Sequence, residues 1–213
     1  MGYSSQQAKA FIQEIAPSAQ KAYKELGKVL PSVCIGMAIV ESGAGTSKVM
    51  RNHNAILGQK VGSGKTATKY WDKTFFNART SEEYTIGVHT PIKDNFRSYR
   101  SLEQCIFNYY ELLNSSVYKK VLAGVDYKTQ MMQIKKCGYM TSTYQYDKIQ
   151  YLVALISEFA THFGLSDSQA ARYMSRYGAV ELCDKHYNVM HTLPWLDNIQ
   201  SIATFCRRKG GLL

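Results

Sequence analysis

Apolar residues recur at three- and four-residue spacing over most of the chain, and this period predicts a protein built mainly from α-helices. Phe11, Ile15, Ala19, Ala22, Tyr23 and Leu26 mark the first apolar stripe. Pro17 interrupts it, and proline suits a first helical turn better than a helix interior. Two segments are therefore predicted, 6–16 and 17–26, ending near Gly27. Pro31 and Ser32 then open SVCIGMAIVES, an almost wholly apolar run of about three helical turns. Its Gly36 and Ala38 leave room for a close neighbour.

From Trp71 to Tyr99 the period changes. Alternation and β-branched residues in EEYTIGVHTPIKDNFRSY predict two short strands around Gly87, joined as a β-hairpin. Helical spacing returns in SLEQCIFNYYELL, where Ser101 and Gln104 form a capping-box signature. DYKTQMMQIKKCG and YDKIQYLVALISEFATHF give two more helices, and two or three others follow Gly164. There is no internal repeat and no low-complexity tract. The fold class is mainly α (α+β), with one small β excursion.

With 213 residues, the chain has room for one large domain, or a medium domain with an appendage. Its composition, 45 % hydrophobic and 20 % charged, is that of an ordinary globular protein. No apolar run approaches the roughly 18 residues of a membrane-spanning helix, so membrane insertion is not expected. MGYSSQQAKAF lacks the basic and apolar regions of a secretory signal, and Gln6 breaks the myristoylation pattern. The five cysteines form no CxxC and mostly fall within apolar helical patterns. They read as buried free thiols from a reducing compartment. Cys183, His186, His191 and Cys206 match no tight zinc spacing, so neither metal nor cofactor is expected.

The formal charge is +10. Residues 1–165 carry 20 Lys+Arg against 12 Asp+Glu, so the basicity belongs to the main body. Such a surface is drawn to polyanions, including anionic cell-wall polymers. No nucleic-acid motif accompanies it, and nucleic acid is not an expected partner. GSGKT resembles a phosphate loop, but Gln59 stands where that motif needs its first glycine.

One carboxylate stands apart. Glu41 closes the most apolar helix and is followed by Ser42, Gly43, Ala44 and Gly45. An acid at the end of such a helix, with burial to raise its pKa, suits proton donation, and the small residues after it read as room for a substrate.

Ala38-Ile-Val-Glu41-Ser42-Gly43-Ala44-Gly45-Thr-Ser47 resembles the Ala-x-x-x-Glu-Ser-Gly-x-Gly-x-Ser of glycoside hydrolase family 73, one residue shorter before the acid. NAILGQK (54–60) is similar to that family's Asn-Asn-Leu-Phe-Gly-Ile-Lys. EEYTIG and then FRSYRSLEQCIFNYYELL resemble its Glu-x-x-x-Gly hairpin and Phe-Arg-x-Tyr-x-Ser. CGYMTSTYQYDKI resembles Gly-Tyr-Ala-Thr-Asp-Pro-x-Tyr-x-x-Lys-Ile. The four motifs keep family order over roughly residues 11–160.

The resemblance implies a lysozyme-like helical domain over 1–164, a β-lobe (about 71–99) covering its cleft, and a helical extension over 165–213 of no quoted pattern. It further implies an endo-β-N-acetylglucosaminidase acting on peptidoglycan, with Glu41 as general acid; the alternatives are a muramidase or lytic transglycosylase on a related scaffold, or a non-catalytic cell-wall-binding module. A second carboxylate would come from the hairpin, where alignment selects Glu83, with Glu82 as the alternative. Neighbouring strand residues face opposite sides, so only one of the two points inward. Tyr139 would line the cleft near the acid as a catalytic residue, its phenol hydrogen-bonding the reacting sugar or orienting the N-acetyl group, and Asn54, Tyr99 and Tyr144 are candidate substrate-binding residues. Phe96, Arg97 and Tyr99 would also hold the hairpin to the helical body. Water activation by the hairpin acid and attack by the substrate's own acetamido oxygen both remain open. Departures from the family pattern are Ala44 for Trp, Ser142-Thr143 for Asp-Pro, and Gln145 for Tyr. Synthesis in the cytoplasm without a signal, followed by release to the wall or packaging in a virion, completes the expectation. Oligomeric state is not legible.

Overall fold

The computed structural model describes residues 4–63, 69–85, 88–140 and 142–213. Gly87, most of GSGKT and the first three residues of MGYSSQ lie outside them. Helix α1 (Ser5–Leu26) is one continuous helix, not two. It carries Pro17 in its interior; Pro17 and Gln13, whose carbonyl loses its helical partner, are both exposed residues, where such a loss costs least. A Ser4–Gln7 capping box opens the helix and Gly27 closes it.

Helix α2 (Pro31–Ser42) is the centre of the molecule. Nine of its twelve residues are buried, as befits a helix apolar on every side. It packs against α1, α6 (Thr143–Phe163) and α7 (Asp167–Arg176). Gly36 permits the α6 contact: a Cβ there would lie 2.4 Å from Val153 Cγ2. Short α3 (Lys48–Asn52) follows, capped by Ser47.

The hairpin pairs β1 (Phe75–Thr85) with β2 (Val88–Arg97) antiparallel, Phe76 opposite Phe96 and Glu82 opposite Thr90, with an irregularity between Glu83 and Thr85. Phe76, Ala78, Thr80 and Glu82 share the more buried face, as period-2 alternation requires. Its root is clamped to the helices. Arg97 is fully buried, its Nη1 donating to Asn108 Oδ1 at 2.8 Å and its guanidinium lying over Trp71, 4.3 Å from the ring centroid. Tyr99 OH donates to the same Asn108 oxygen at 2.8 Å, and His53 stacks on Phe76 at 4.0 Å.

Helix α4 (Leu102–Asn114) begins at the expected Ser101 cap, but the Gln104 side chain accepts from the Arg100 N–H, so the box is not closed on Ser101. Helices α5 (Tyr127–Lys136), α8 (Ala179–Lys185), α9 (Tyr187–Met190) and α10 (Trp195–Arg208) complete the fold. Four helices follow Gly164 where two or three were expected, the surplus being single-turn α9. Helix α7 packs along α1 and α6, and its Ala170, Ala171 and Met174 join the same core as α2. Cys34, Cys105, Cys183 and Cys206 are buried free thiols, and Cys137 is half-buried. Among the described residues no helix is long and apolar enough to cross a membrane.

Candidate active site

Glu41 is carried on the last turn of α2, which ends at Gly43 in the left-handed conformation (φ 56°). Ser42 Oγ donates to the Ala38 carbonyl and accepts from the Gly45 N–H, so the small residues fold back on the helix end. They do not clear space for a substrate. Ala44 is buried, and a Cβ on Gly45 would strike the Phe11 ring at 2.5 Å. The missing side chain of Gly45 serves close packing on α1. The glycine that makes room beside the acid is Gly58, where a Cβ would stand 3.2 Å from Glu41 Oε2.

A cleft of about 620 Å³ opens above Glu41. One wall is β1 from Asn77 to Glu82, and the other is formed by Tyr139, Met140, Ser142 and Gln145. Burial of the Glu41 carboxyl pushes its pKa up to about 7; a hydrogen bond from the Gln145 side chain pulls it down, and the charge of Glu82 pushes it up. The acid is half-buried, open on the side of the cleft.

The two hairpin acids take different positions. Glu82 is 7 % exposed, lines the cleft and pairs with Lys60, which also bridges Asp94 at 3.2 Å. Burial disfavours the Lys60 charge, but the two carboxylates outweigh it and raise the Lys60 pKa. Glu83 is half-buried outside the cleft lining, and its Oε2 accepts the Thr143 N–H at 2.8 Å.

Tyr139 lines the cleft, with its hydroxyl donating to the Leu57 carbonyl at 2.8 Å. Burial holds that phenol far above the usual range, so it is a neutral wall and a brace for the loop under Glu41. Asn54 sits at φ 50° and donates to the Tyr99 carbonyl at 2.9 Å, shaping the turn before Gly58. Tyr99 is 5 % exposed, away from the cleft. Tyr144 is exposed beside Gln145, its ring edge-on to Tyr187. Lys60, Gly58 and Gln145 escaped the sequence reading as site residues. Lys60 and Gly58 stand in NAILGQK, a motif already quoted, whereas Gln145 stood out only as a departure.

A helical body, a two-stranded lobe above a cleft and a half-buried acid at a helix end define the lysozyme-like class of glycan-cleaving folds. Residues 16–161 match the glucosaminidase family, described as mannosyl-glycoprotein endo-beta-N-acetylglucosaminidase, and the chain belongs to this family. Residues 150–209 match a second family described as a protein of unknown function. The chain is 28 % identical over 149 residues to the exo-glucosaminidase LytG of Bacillus subtilis, covering 67 % of this chain and 49 % of LytG. It thus spans about half the length of that curated relative. A peptidoglycan hydrolase mutant from Sphingomonas sp. A1 superposes with a TM-score of 0.57 at 29 % identity, covering 68 % of this chain and 92 % of that one. The catalytic domain of the Listeria monocytogenes autolysin Auto shares the fold, with a TM-score of 0.55 at 20 % identity over 80 % of this chain and 90 % of that one.

Proposed function

We propose that the protein is an endo-β-N-acetylglucosaminidase that hydrolyses the β-1,4 bond after N-acetylglucosamine in bacterial peptidoglycan, with Glu41 as general acid and Glu82 as the second carboxylate. The observation that carries this reading is the half-buried Glu41 beneath the cleft, with a pKa of about 7. A carboxyl with that proton affinity stays substantially protonated near neutrality and delivers its proton to the leaving glycosidic oxygen as the C1–O bond breaks. Glu82 supports the positive charge that develops at C1. Either it takes a proton from the attacking water, or the acetamido oxygen of the substrate attacks and water follows. Membership of the glucosaminidase family supports the reaction class, and the likeness to the Sphingomonas hydrolase supports a peptidoglycan substrate. Tyr139 walls the sugar site. In this reading the enzyme acts on the cell wall, and the helices after Gly164 buttress the catalytic body from behind.

Digestion of purified cell walls, followed by reducing-end analysis, tests the proposal. New reducing ends at N-acetylglucosamine and early internal cuts are expected. Reducing ends at N-acetylmuramic acid, release only from chain termini, or intact glycans would overturn it. Glu41→Gln is expected to lower kcat by at least about a thousandfold without unfolding the protein. Because the acid must be protonated, kcat/KM is expected to fall as pH rises through about 7.

A further inference from the structure

We propose that Glu83 and the backbone N–H of Thr143 form a latch that ties the hairpin lobe to the helical body across the cleft, with Glu83 as a positioning residue for Glu82. This deepens the reading above and rests on it for the role of Glu82.

The contact joins residues 60 apart in sequence at 2.8 Å. It bridges the tip half of β1 to the first residue of α6, whose first turn also supplies the Gln145 wall of the cleft. Thr143 is one of the four helix-initial residues whose N–H has no partner within the helix. Ser142 Oγ takes the Gln145 N–H, and Glu83 takes the Thr143 N–H. A carboxylate there also meets the positive end of the dipole of a 21-residue helix.

Alternation along β1 makes this anchor matter for catalysis. Glu82 lies on the face of Phe76, Ala78 and Thr80, and its neighbour leaves the strand on the other side. Fixing Glu83 to α6 therefore fixes which way the strand presents Glu82. A second anchor, the Lys60 bridge to Glu82 and Asp94, holds the lobe to the segment that follows α3. The latch also depends on a departure noted in the sequence. Proline, which the resembled motif carries at position 143, has no N–H to give, and Thr143 does.

The same property supplies a clean test. Proline is favoured at the first helical position, and extended Ser142 (φ −67°, ψ 119°) tolerates a following proline, so Thr143→Pro removes the donor and keeps the helix. Kinetics on purified glycan strands would compare Glu83→Ala, Thr143→Pro, their double variant and Glu83→Gln. Each of the first two is expected to lose about tenfold in kcat with KM held within about twofold. The double variant is expected to lose the same tenfold or so, not about a hundredfold, because both changes break one contact. Glu83→Gln keeps an oxygen that accepts the Thr143 N–H and is expected to stay within about threefold of the parent. Hydrogen exchange of residues 75–85 is expected to quicken in Glu83→Ala and Thr143→Pro and not in Glu83→Gln. Losses that multiply, unchanged exchange in Glu83→Ala, or a Glu83→Gln as inactive as Glu41→Gln would overturn the latch. The exchange readout needs no turnover. A parent protein that releases no reducing ends would defeat the proposed reaction and leave the latch to be judged on exchange alone.

Discussion

At the scale of single residues, Glu41 concentrates the competing effects. Burial raises its pKa from 4.5 to about 7 against the Gln145 hydrogen bond, so the folded state holds this proton more tightly than the unfolded chain does. The native state is therefore penalised once pH exceeds the unfolded value, and the penalty is complete above about 7. A shift of that size corresponds to about 3 kcal/mol at most. Glu41→Gln, which removes the charge, is expected to raise the melting temperature at pH 8 and leave it nearly unchanged near pH 4, read by calorimetry. Gly58 is the second decisive residue. Its φ of 61° disfavours a side chain, and an alanine methyl would press on Glu41 Oε2 from 3.2 Å. Gly58→Ala is expected to cost about tenfold or more in kcat by displacing the acid, with a stability loss of only about 1 kcal/mol. Kinetics alongside thermal melting would separate the two losses. Glu41 was legible because an acid ending an apolar helix is conspicuous. The role of its small neighbours was not, since only the fold reveals that Phe11 occupies the space beside Gly45.

Among the elements, α2 and α6 set the frame of the site, and their closeness depends on Gly36. Alanine there gains about 1 kcal/mol of helix propensity, but its methyl would meet the stiff Val153 side chain at 2.4 Å. Overpacking of this kind costs about 1–3 kcal/mol, so Gly36→Ala is expected to be net destabilising and to lower the melting temperature by several degrees. Pattern located nearly every helix because burial of one face imposes its period on the sequence. It divided α1 at Pro17 because the rule concerns a missing hydrogen bond, and the exposed position of Gln13 and Pro17 makes that loss tolerable. The hairpin was legible as alternation. Which of its acids faces the cleft was not, because alternation gives the relation between neighbours and not the direction of the body.

For the molecule as a whole, the helices after Gly164 do not stand apart. Helix α7 lies along α1, α2 and α6, and Lys148 of α6 bridges Asp184 of α8 at 2.5 Å. Removing residues 165–213 would expose the apolar faces of α1 and α6 that now meet Ala170, Ala171 and Met174. The shortened chain 1–164 is expected to melt at least about 10 °C lower than the full chain, or to aggregate, by calorimetry and light scattering. An unchanged melting temperature would make the tail a separate module.

The sequence by itself determined the mainly helical class, the hairpin and the glucosaminidase resemblance, and singled out Glu41 as the candidate acid, since each leaves a local pattern of period, spacing or motif. Only the tertiary structure decided that Glu82 faces the cleft and Glu83 meets Thr143, that Gly58 and not Gly45 makes room for the acid, and that the tail shares the core. Each of these depends on which surfaces meet across tens of residues, and local pattern carries no record of the surface on the other side.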